Sequence, residues 1–385
     1  MKSKRSDLVL SIFKPDIPTM PIYMDVHEVP GAEALDLAEA HRKDVLIQDK
    51  YACKCITYWL DEAKGAAFCL IDAPEKSVVE QMHKHSHGFV PHKIIEVNKD
   101  VISSFLGRIR DPDDVEVSKN GLKLIRDSAF RVLLIMETTD PVLLHHSLGL
   151  QQGNSLLKKL GETIRKELPS YQGSEVEHTG HGFIISFVSV INAISCAMAI
   201  QKNLQSPEFR IAGLRMGMHA GNPVSKSDKV FGDTILLARQ LATLKIRKGQ
   251  VIISSIVKEL LKNDHFPKGR NQVISLLPQD EIFLESLFSS LEKNWQNPDF
   301  TITEFCQSMS MSKSQLYRRT ISLWGLSPNL VLKEFRLNKA RGLLKKQHNN
   351  VSEITFDSGF NSPSYFTKCF KKHFGLTPAA YLNLL

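Results

Sequence analysis

Hydrophobic positions change their spacing along the chain and divide it into three parts. Between residues 20 and 100, short alternating apolar runs flank two stretches with helical spacing, and a similar order returns between residues 131 and 261. Alternation places apolar side chains on one face of a strand, whereas recurrence every three or four residues places them on one face of a helix. Beyond residue 280 only the helical spacing remains. The pattern predicts two α+β domains followed by an all-α domain.

The first part is predicted to be strand, helix, hairpin, helix, strand. The predicted segments are 22–27, 31–50, 55–61 with 66–72, 74–87 and 94–97. The βαββαβ order indicates a ferredoxin-like sandwich. The second part, from Arg131 to Leu261, has nearly the same order, so a second ferredoxin-like domain is expected there.

The last quarter of the chain contains one stretch twice, fifty residues apart. The copies are SQLYRRTISLWGLSPNLVL, residues 314–332, and SYFTKCFKKHFGLTPAAYL, residues 364–382. Gly325 matches Gly375 as a helix stop, and Pro328 matches Pro378 at the first position of the next helix. Phe366 and Phe370 begin an apolar stripe in the second copy. Together with the short helix predicted before each copy, the repeat indicates a duplicated helix-turn-helix, a motif that reads DNA.

The excess of positive over negative charge lies in the same region. The chain has 49 Lys and Arg and 41 Asp and Glu; twelve of the basic residues and four of the acidic ones lie from Thr301 onward. The first 300 residues are therefore balanced at 37 of each, and the net charge of +8 belongs to the repeat. Phosphate contacts need such a cationic surface, so the expected partner is double-stranded DNA.

Residues from about 280 to 385 resemble the C-terminal DNA-binding domain of the AraC/XylS family of transcription regulators. GFNSPSYFTKCFKKHFGLTPAAYL, residues 359–382, is close to the family signature. The resemblance implies that a long helix, about 328–346, holds two reading heads in successive major grooves. It implies base-reading side chains at Ser314, Gln315, Arg318, Ser364, Thr367 and Lys368. It implies phosphate contacts at Arg319, Ser362, Lys371 and Lys372.

Histidines are dense in the first domain. His83 and His87 lie four apart on a predicted helix and project from one face, a spacing that suits two imidazole ligands. The stretches MDVHEVPGAEALDLAEAHRKD and YWLDEAKGAAFCLIDAPEKS resemble the DUF4242 group of small bacterial domains, some of which bind nickel. The resemblance adds His27 and His41, and implies a Ni²⁺ or Zn²⁺ site. A histidine-rich surface helix and a pH-sensitive dimer face remain the alternatives.

The middle segment resembles the class III nucleotide cyclases through EVEHTGHGFIISF, LRMGMHAGNPV, FGDTILLARQLATL and GQVIISSIVKELL. Such enzymes need two carboxylates for metal ions, and an asparagine and an arginine that orient ribose and stabilise charge. The aligned positions hold Glu137 or Asp140, His181, Glu177 (for the purine-selecting lysine), Leu236 (for asparagine) and Gln240 (for arginine). Losing one electrostatic group commonly lowers the rate about 10²–10³-fold. A scaffold without catalysis is predicted, one that dimerises or senses a nucleotide.

The chain as a whole is predicted to be a cytoplasmic, one-component transcription regulator. It has no apolar run of eighteen residues, no recognisable signal peptide, and six cysteines without disulfide-framework spacing. A homodimer is expected, with a small molecule, a nucleotide or a metal ion as effector. The alternatives are a nucleotide cyclase with a DNA-binding tail and a metal-responsive binding protein. The predicted divisions are a tail (1–18), a DUF4242-like domain (19–107), a linker (108–129), a cyclase-like domain (130–276) and a DNA-binding domain (277–385).

Overall fold

The chain folds into two compact units. The computed structural model describes residues 20–179, 182–245, 250–261, 273–346 and 350–385. One unit contains the residues up to Asn98 together with Arg110–Arg126, and the other contains Lys99–Ile109 and Asp127–Leu385. The segment predicted as a linker is thus shared between the two units. Among the described residues, no helix combines the length and the apolar character needed to cross a membrane.

The first unit is an antiparallel sheet with two helices. Its strands are β1 (Ile22–Glu28), β2 (Lys54–Asp61), β3 (Ala66–Asp72) and β4 (Lys93–Val97), and its helices are α1 (Ala34–Ile47) and α2 (Lys76–Ser86). The sheet order is β2-β3-β1-β4. A short hairpin, β5 (Glu116–Val117) and β6 (Lys123–Leu124), supplies Leu124 to the same core. The strands and helices of this unit follow the predicted order, and their first and last residues lie within a few residues of the predicted ones.

The second unit begins with a mixed sheet. Its strands are β7 (Arg131–Glu137), β8 (Ser174–Thr179), β9 (Gly182–Phe187), β10 (Arg215–Gly221), β11 (Val251–Ile253) and β12 (Val273–Ser275). Its helices are α3 (Lys99–Leu106), α4 (Pro141–Leu148), α5 (Leu150–Glu167), α6 (Val190–Asn203), α7 (Pro207–Arg210), α8 (Gly232–Ala242) and α9 (Ser255–Leu260). The sheet order is β12-β11-β10-β7-β9-β8, with β11 and β12 parallel to their neighbours.

The expectation of four strands in this domain is wrong by two. Four strands follow the predicted βαββαβ order, and β11 and β12 extend the sheet beyond them. Val251, Ile252 and Ile253 are all buried, so β11 is a continuous apolar run with no alternation. Strands of this kind, buried on both faces, lack the period of two by which a strand is recognised in sequence.

The rest of the second unit is helical. Its helices are α10 (Pro278–Asn294), α11 (Ile302–Ser308), α12 (Lys313–Trp324), α13 (Pro328–Lys346), α14 (Val351–Asp357), α15 (Pro363–Phe374) and α16 (Pro378–Leu382). One apolar cluster joins α10–α13 to the leucines of α8, and a second joins α13–α16 to Val142 of α4. Both halves of the helical module therefore pack on the mixed-sheet domain, hereafter the middle domain.

Candidate nucleic-acid interface and metal centre

Two equivalent helices present the predicted base-reading side chains. The Ser312 hydroxyl caps α12 by accepting from the Gln315 amide (3.3 Å), and the Ser362 hydroxyl caps α15 by accepting from the Tyr365 amide (3.3 Å). Each helix ends at a left-handed glycine, Gly325 with φ 66° and Gly375 with φ 87°. The glycine amides each donate to the carbonyl four residues earlier at 2.8 Å. The two copies in the sequence therefore begin and end their helices in the same way.

Burial divides each of these helices into an inner and an outer face. Leu316, Leu323 and Trp324 of α12 are buried in the first cluster, and Phe366 and Phe370 of α15 in the second. The outer faces hold the predicted readers: Ser314, Gln315, Arg318, Ser364 and Lys368 are exposed, and Thr367 is half-buried. Lys371 and Lys372 are also exposed. The arrangement presents polar and cationic groups outward on α12 and α15.

Four of the predicted contact residues have partners inside the protein. The hydroxyl of Ser314 lies 3.2 Å from the hydroxyl of Ser312, within hydrogen-bond distance. The side-chain oxygen of Gln315 accepts from the Ser312 amide at 2.9 Å, so this oxygen belongs to the helix cap. The hydroxyl of Ser362 caps α15, as described above. Arg319 donates from Nη1 to the Gln279 carbonyl (3.1 Å), and its guanidinium lies 5.0 Å from the ring centre of Phe283. These contacts give Arg319 a role in holding α12 against α10.

Tyr317 is an outer-face residue that the sequence pattern did not single out. It is 52% exposed on α12 and lies fifty residues before Thr367, at the matching position of the repeat. Aligning the two copies position by position would have pointed to it. A tyrosine there offers a hydroxyl and an apolar ring to a base edge.

Buried imidazoles and carboxylates meet in the first unit, between β1, β3, α1 and α2. Asp25, His27 and Cys69 have ligand atoms within 4.8 Å of one another, and so do Asp44, His83 and His87. His83 joins the two groups: its Nε2 lies 2.9 Å from Asp25 Oδ2 and its Nδ1 lies 3.3 Å from Asp44 Oδ2. The structure therefore brings three of the four predicted histidines together.

His41 lies apart from these two groups. It lines a cavity of about 480 Å³ that members of both groups also line, and its ring centre is 5.1 Å from that of Tyr58. The sequence pattern did not point to the carboxylates and the thiol that the fold adds. Asp25 and His27 are two apart and face the same side of β1, and Cys69 is paired with Asp25 in the β1–β3 register. Asp44 lies one turn beyond His41 on α1.

The electrostatics of this centre favour a bound cation. Burial opposes the charged form of His83, yet Asp25 and Asp44 raise its pKa to about 10. The pKa values of Asp25 and Asp44 are lowered well below their usual range despite burial, because the imidazoles surround them. Two buried carboxylates need positive charge close by, which a proton on His83 or a metal ion supplies.

The donor set fits a transition metal. Imidazole nitrogen, carboxylate oxygen and thiol sulfur are ligands of nickel and zinc. The buried Nε2 atom of His27 lies 3.3 Å from Asp25 Oδ1 but makes no hydrogen bond within the part of the chain that is described. An unsatisfied nitrogen beside a carboxylate and a thiol is suited to a metal bond.

The middle domain contains a smaller cavity of about 280 Å³ at the predicted cyclase position. Its charged lining consists of Glu137, Glu177 and Arg239. Leu236 is 55% exposed and Gln240 is buried, at the positions aligned with an asparagine and an arginine. Asp140, the alternative to Glu137, is buried elsewhere, and His181 lies outside the described residues. Arg239 is the guanidinium that lines this cavity, one residue before the aligned position.

Comparison with known proteins assigns the two ends of the chain. Residues 305–383 match the helix-turn-helix domain family, and residues 23–97 match the family described as nickel responsive protein SCO4226-like. The C-terminal region is therefore a helix-turn-helix domain of AraC type, and the N-terminal region is an SCO4226-like domain.

Similar proteins match parts of the chain. Histidine kinase P4 of Formosa agariphila is 36% identical over 110 residues, which are 29% of this chain and 8% of that protein. The transcriptional regulator MtrA of Neisseria gonorrhoeae is 36% identical over 83 residues, 22% of this chain and 28% of MtrA. Putative adenylate cyclase 3 of Rhizobium meliloti is 29% identical over 106 residues, 26% of this chain and 18% of the cyclase. The chain spans less than a third of the length of each of these three relatives.

Proposed function

We propose that this protein is a sequence-specific, DNA-binding transcription regulator whose N-terminal domains supply its input. The observation that carries the proposal is the pair of equivalent helices, α12 and α15, each capped at its start and ended by glycine. Each has an apolar inner face and an outer face of hydroxyl and cationic groups, to which α12 adds the amide of Gln315. The connecting helix α13 has 19 residues and is about 28 Å long, near the spacing of successive major grooves. The net charge of this region favours phosphate contacts.

The residues proposed to read bases are Ser314, Arg318, Ser364, Thr367 and Lys368, with Gln315 contributing its amide nitrogen. Tyr317 joins them because it occupies the position of Thr367 in the first copy. Lys371 and Lys372 are proposed to contact phosphate. Ser362 presents its backbone at the start of α15, and Arg319 is proposed to brace α12.

The test of this function is selection of bound fragments from genomic DNA by the purified full-length protein. A regulator of this kind enriches a small set of fragments sharing one bipartite sequence, and retention falls steeply with salt. Uniform retention of all fragments would reduce the function to non-specific binding. Failure to retain any double-stranded fragment at low salt would contradict the proposal.

We infer that the first unit is the metal-responsive input and that it has a ferredoxin-like fold. The sheet order β2-β3-β1-β4 supports the fold, and the two donor groups joined by His83 support a Ni²⁺ or Zn²⁺ site. The site residues proposed are Asp25, His27, Cys69, Asp44, His83 and His87, with His41 at the cavity wall.

Calorimetry with Ni²⁺ and Zn²⁺ on the full-length protein tests the metal site. His83→Ala is expected to abolish the binding heat, because it removes a member of one group that also contacts Asp25 of the other. His85→Ala is the matched control: His85 is two residues away on α2, but its ring stacks on Tyr51 outside the site. An equal heat for wild type and His83→Ala would contradict the site.

The middle domain is proposed to be a dimerising scaffold without cyclase activity. An exposed Leu236 and a buried Gln240 cannot replace an amide and a guanidinium in orienting a nucleotide. Assays with Mn²⁺ and ATP or GTP are expected to give no cyclic product above that of a Glu137→Ala control. Sedimentation of wild type against Leu236→Glu tests the dimer, which the added charge is expected to weaken.

A further inference from the structure

Asp140 is a buried carboxylate at the junction of the middle domain and the helical module. It is 1% exposed and lies between β7 and α4. Its Oδ1 accepts from the Val142 amide at 3.0 Å and so caps α4. Its Oδ2 lies 2.6 Å from Lys345 Nζ and accepts from the Tyr381 hydroxyl at 3.2 Å.

The groups that surround Oδ2 come from the second half of the helical module. Lys345 and Arg341 lie in the last turns of α13, with Arg341 Nε 3.6 Å from Oδ2, and Tyr381 lies on α16. Apolar contacts follow the same path, because Val142 and Leu143 of α4 pack in the cluster that contains α13–α16. The segment of the middle domain from Asp140 into α4 is thus held against α13 and α16 by ion pairs, by a hydrogen bond and by apolar packing.

Two partners of Asp140, Arg341 and Tyr381, also contact α15. The guanidinium of Arg341 lies 5.2 Å from the ring centre of Phe374, the last residue of α15. The ring centre of Tyr381 lies 6.0 Å from that of Phe370, in the middle of α15. A change at Asp140 therefore reaches this helix through two direct neighbours.

The ionised form of Asp140 is the form that the surroundings stabilise. Burial disfavours the charge, but Lys345 and Arg341 outweigh it and hold the pKa of the carboxyl below its usual range. With a lysine, a guanidinium and a tyrosine around Oδ2 and the Val142 amide on Oδ1, the carboxylate already has its partners. Because both of its oxygens are engaged by these partners, Asp140 does not line the middle-domain cavity, although Glu137, three residues earlier, does.

The first half of the module is held differently. Leu237, Leu241 and Leu244 pack against α10 and α12, and the carboxylate of Glu281 on α10 accepts from the amide and the hydroxyl of Ser255. The ion pair of Lys245 with Glu334 of α13, at 2.9 Å, is partly exposed. Partly exposed pairs contribute little, whereas truncating one partner of a buried charge network costs much more. The second half is thus attached through a buried carboxylate paired with cations, and the first through apolar packing, hydrogen bonds to Glu281 and a partly exposed ion pair.

We propose that Asp140 is a latch by which the middle domain positions the second helix-turn-helix, α14 with α15, relative to the first. The latch is a contact within the chain and holds whether or not DNA binds. Its consequence for selectivity rests on the proposed function. With the latch closed, α15 has one orientation relative to α12. With the latch open, that orientation depends on α13, on the apolar contacts of α4 and on the hydrogen bond from Gln296 to the Asp357 carbonyl.

Hydrogen–deuterium exchange of the full-length protein, without DNA, tests the latch. Asp140→Asn keeps the shape and the oxygen that caps α4 but removes the charge. Amides of 350–385 are expected to exchange about ten- to a hundredfold faster, as loss of a buried charge-assisted contact implies. Amides of 302–324, in the first helix-turn-helix, are expected to change less than about twofold.

Three further variants keep the test decisive. Glu281→Gln removes the same charge from the carboxylate by which α10 contacts Ser255 of α9, and is the matched control, expected to leave 350–385 unchanged. Tyr381→Phe removes one hydroxyl from the latch and is expected to accelerate the same amides to a smaller extent, should Asp140→Asn fold poorly. Lys345→Met added to Asp140→Asn is expected to cost little more than Asp140→Asn alone, because the two share one interaction.

The outcomes separate a latch from a general contribution to stability. Acceleration confined to 350–385 supports the proposal. Equal acceleration in both halves, the same acceleration of 350–385 in Glu281→Gln, or no effect from Asp140→Asn and Tyr381→Phe overturns it. Retention of the wild type on double-stranded DNA is scored separately, so failure of DNA binding is distinguished from failure of the latch.

Discussion

Replacing each of two adjacent arginines on α12 is predicted to have opposite effects on stability and on DNA binding. Arg318 is exposed and makes no hydrogen bond or ion pair within the described chain, whereas the guanidinium of Arg319 contacts the Gln279 carbonyl and the Phe283 ring. Arg318→Ala should therefore change the free energy of unfolding by less than about 0.5 kcal/mol, as surface substitutions do. Arg319→Ala loses one hydrogen bond and one cation–π contact, together about 1–2 kcal/mol.

The effects on DNA are expected to be reversed. A bidentate arginine–guanine contact is worth about 1–3 kcal/mol, so Arg318→Ala should weaken binding to the selected fragment about 5- to 150-fold. It should also relax selectivity at one base position, while Arg319→Ala leaves the order of preferred bases unchanged. Urea unfolding and fluorescence anisotropy on a panel of single-base variants measure the two quantities. Loss of base selectivity in Arg319→Ala with none in Arg318→Ala would refute the assignment of the two side chains.

Three further predictions address local features. Gly375→Ala should lower the free energy of unfolding by about 1 kcal/mol, because the backbone there has φ 87°. Gly342→Ala, inside α13 with open space around it, should raise that free energy by up to about 1 kcal/mol in the same urea titration. Equal effects of the two substitutions would contradict the backbone argument. Burial lowers the pKa of His219 to about 4, so the unfolded chain binds the proton first as pH falls below about 6.5. Up to about 3 kcal/mol should therefore be lost between pH 6.5 and 4, and His219→Gln should flatten that slope in urea unfolding; an unchanged slope would contradict it. Ni²⁺ at about a hundred times its Kd should stabilise the first unit by about 2.7 kcal/mol in thermal unfolding, and less in Cys69→Ser; an identical shift in Cys69→Ser would exclude the thiol as a ligand.

The helical module could be predicted almost entirely from sequence because its signals are local. Ser312, Gly325 and Gly375 act on the helix that each one begins or ends, and the repeat shows which positions are equivalent. Such signals survive in a single sequence because they depend on neighbours a few residues away.

The sites could be predicted only in part because their members come together through pairing and packing. Asp25 meets Cys69 through the β1–β3 register, and Asp44 meets His83 through the packing of two helices. Asp140 and Tyr381 are 241 residues apart in the chain. No periodicity links such residues. Histidine spacing gave His83 and His87, the family resemblance added His27, and neither pointed to a carboxylate of the candidate metal centre. The short buried strand β11 was not predicted for a related reason, because an apolar run of this kind shows no alternation of apolar and polar residues.

A hydroxyl-radical footprint of the full-length protein on a selected fragment tests the central claim most directly. Two reading helices joined by α13 predict two protected segments on one face of the duplex, about one helical turn apart, with protection that weakens as salt rises. A single protected segment, or protection that ignores salt concentration, would contradict the account.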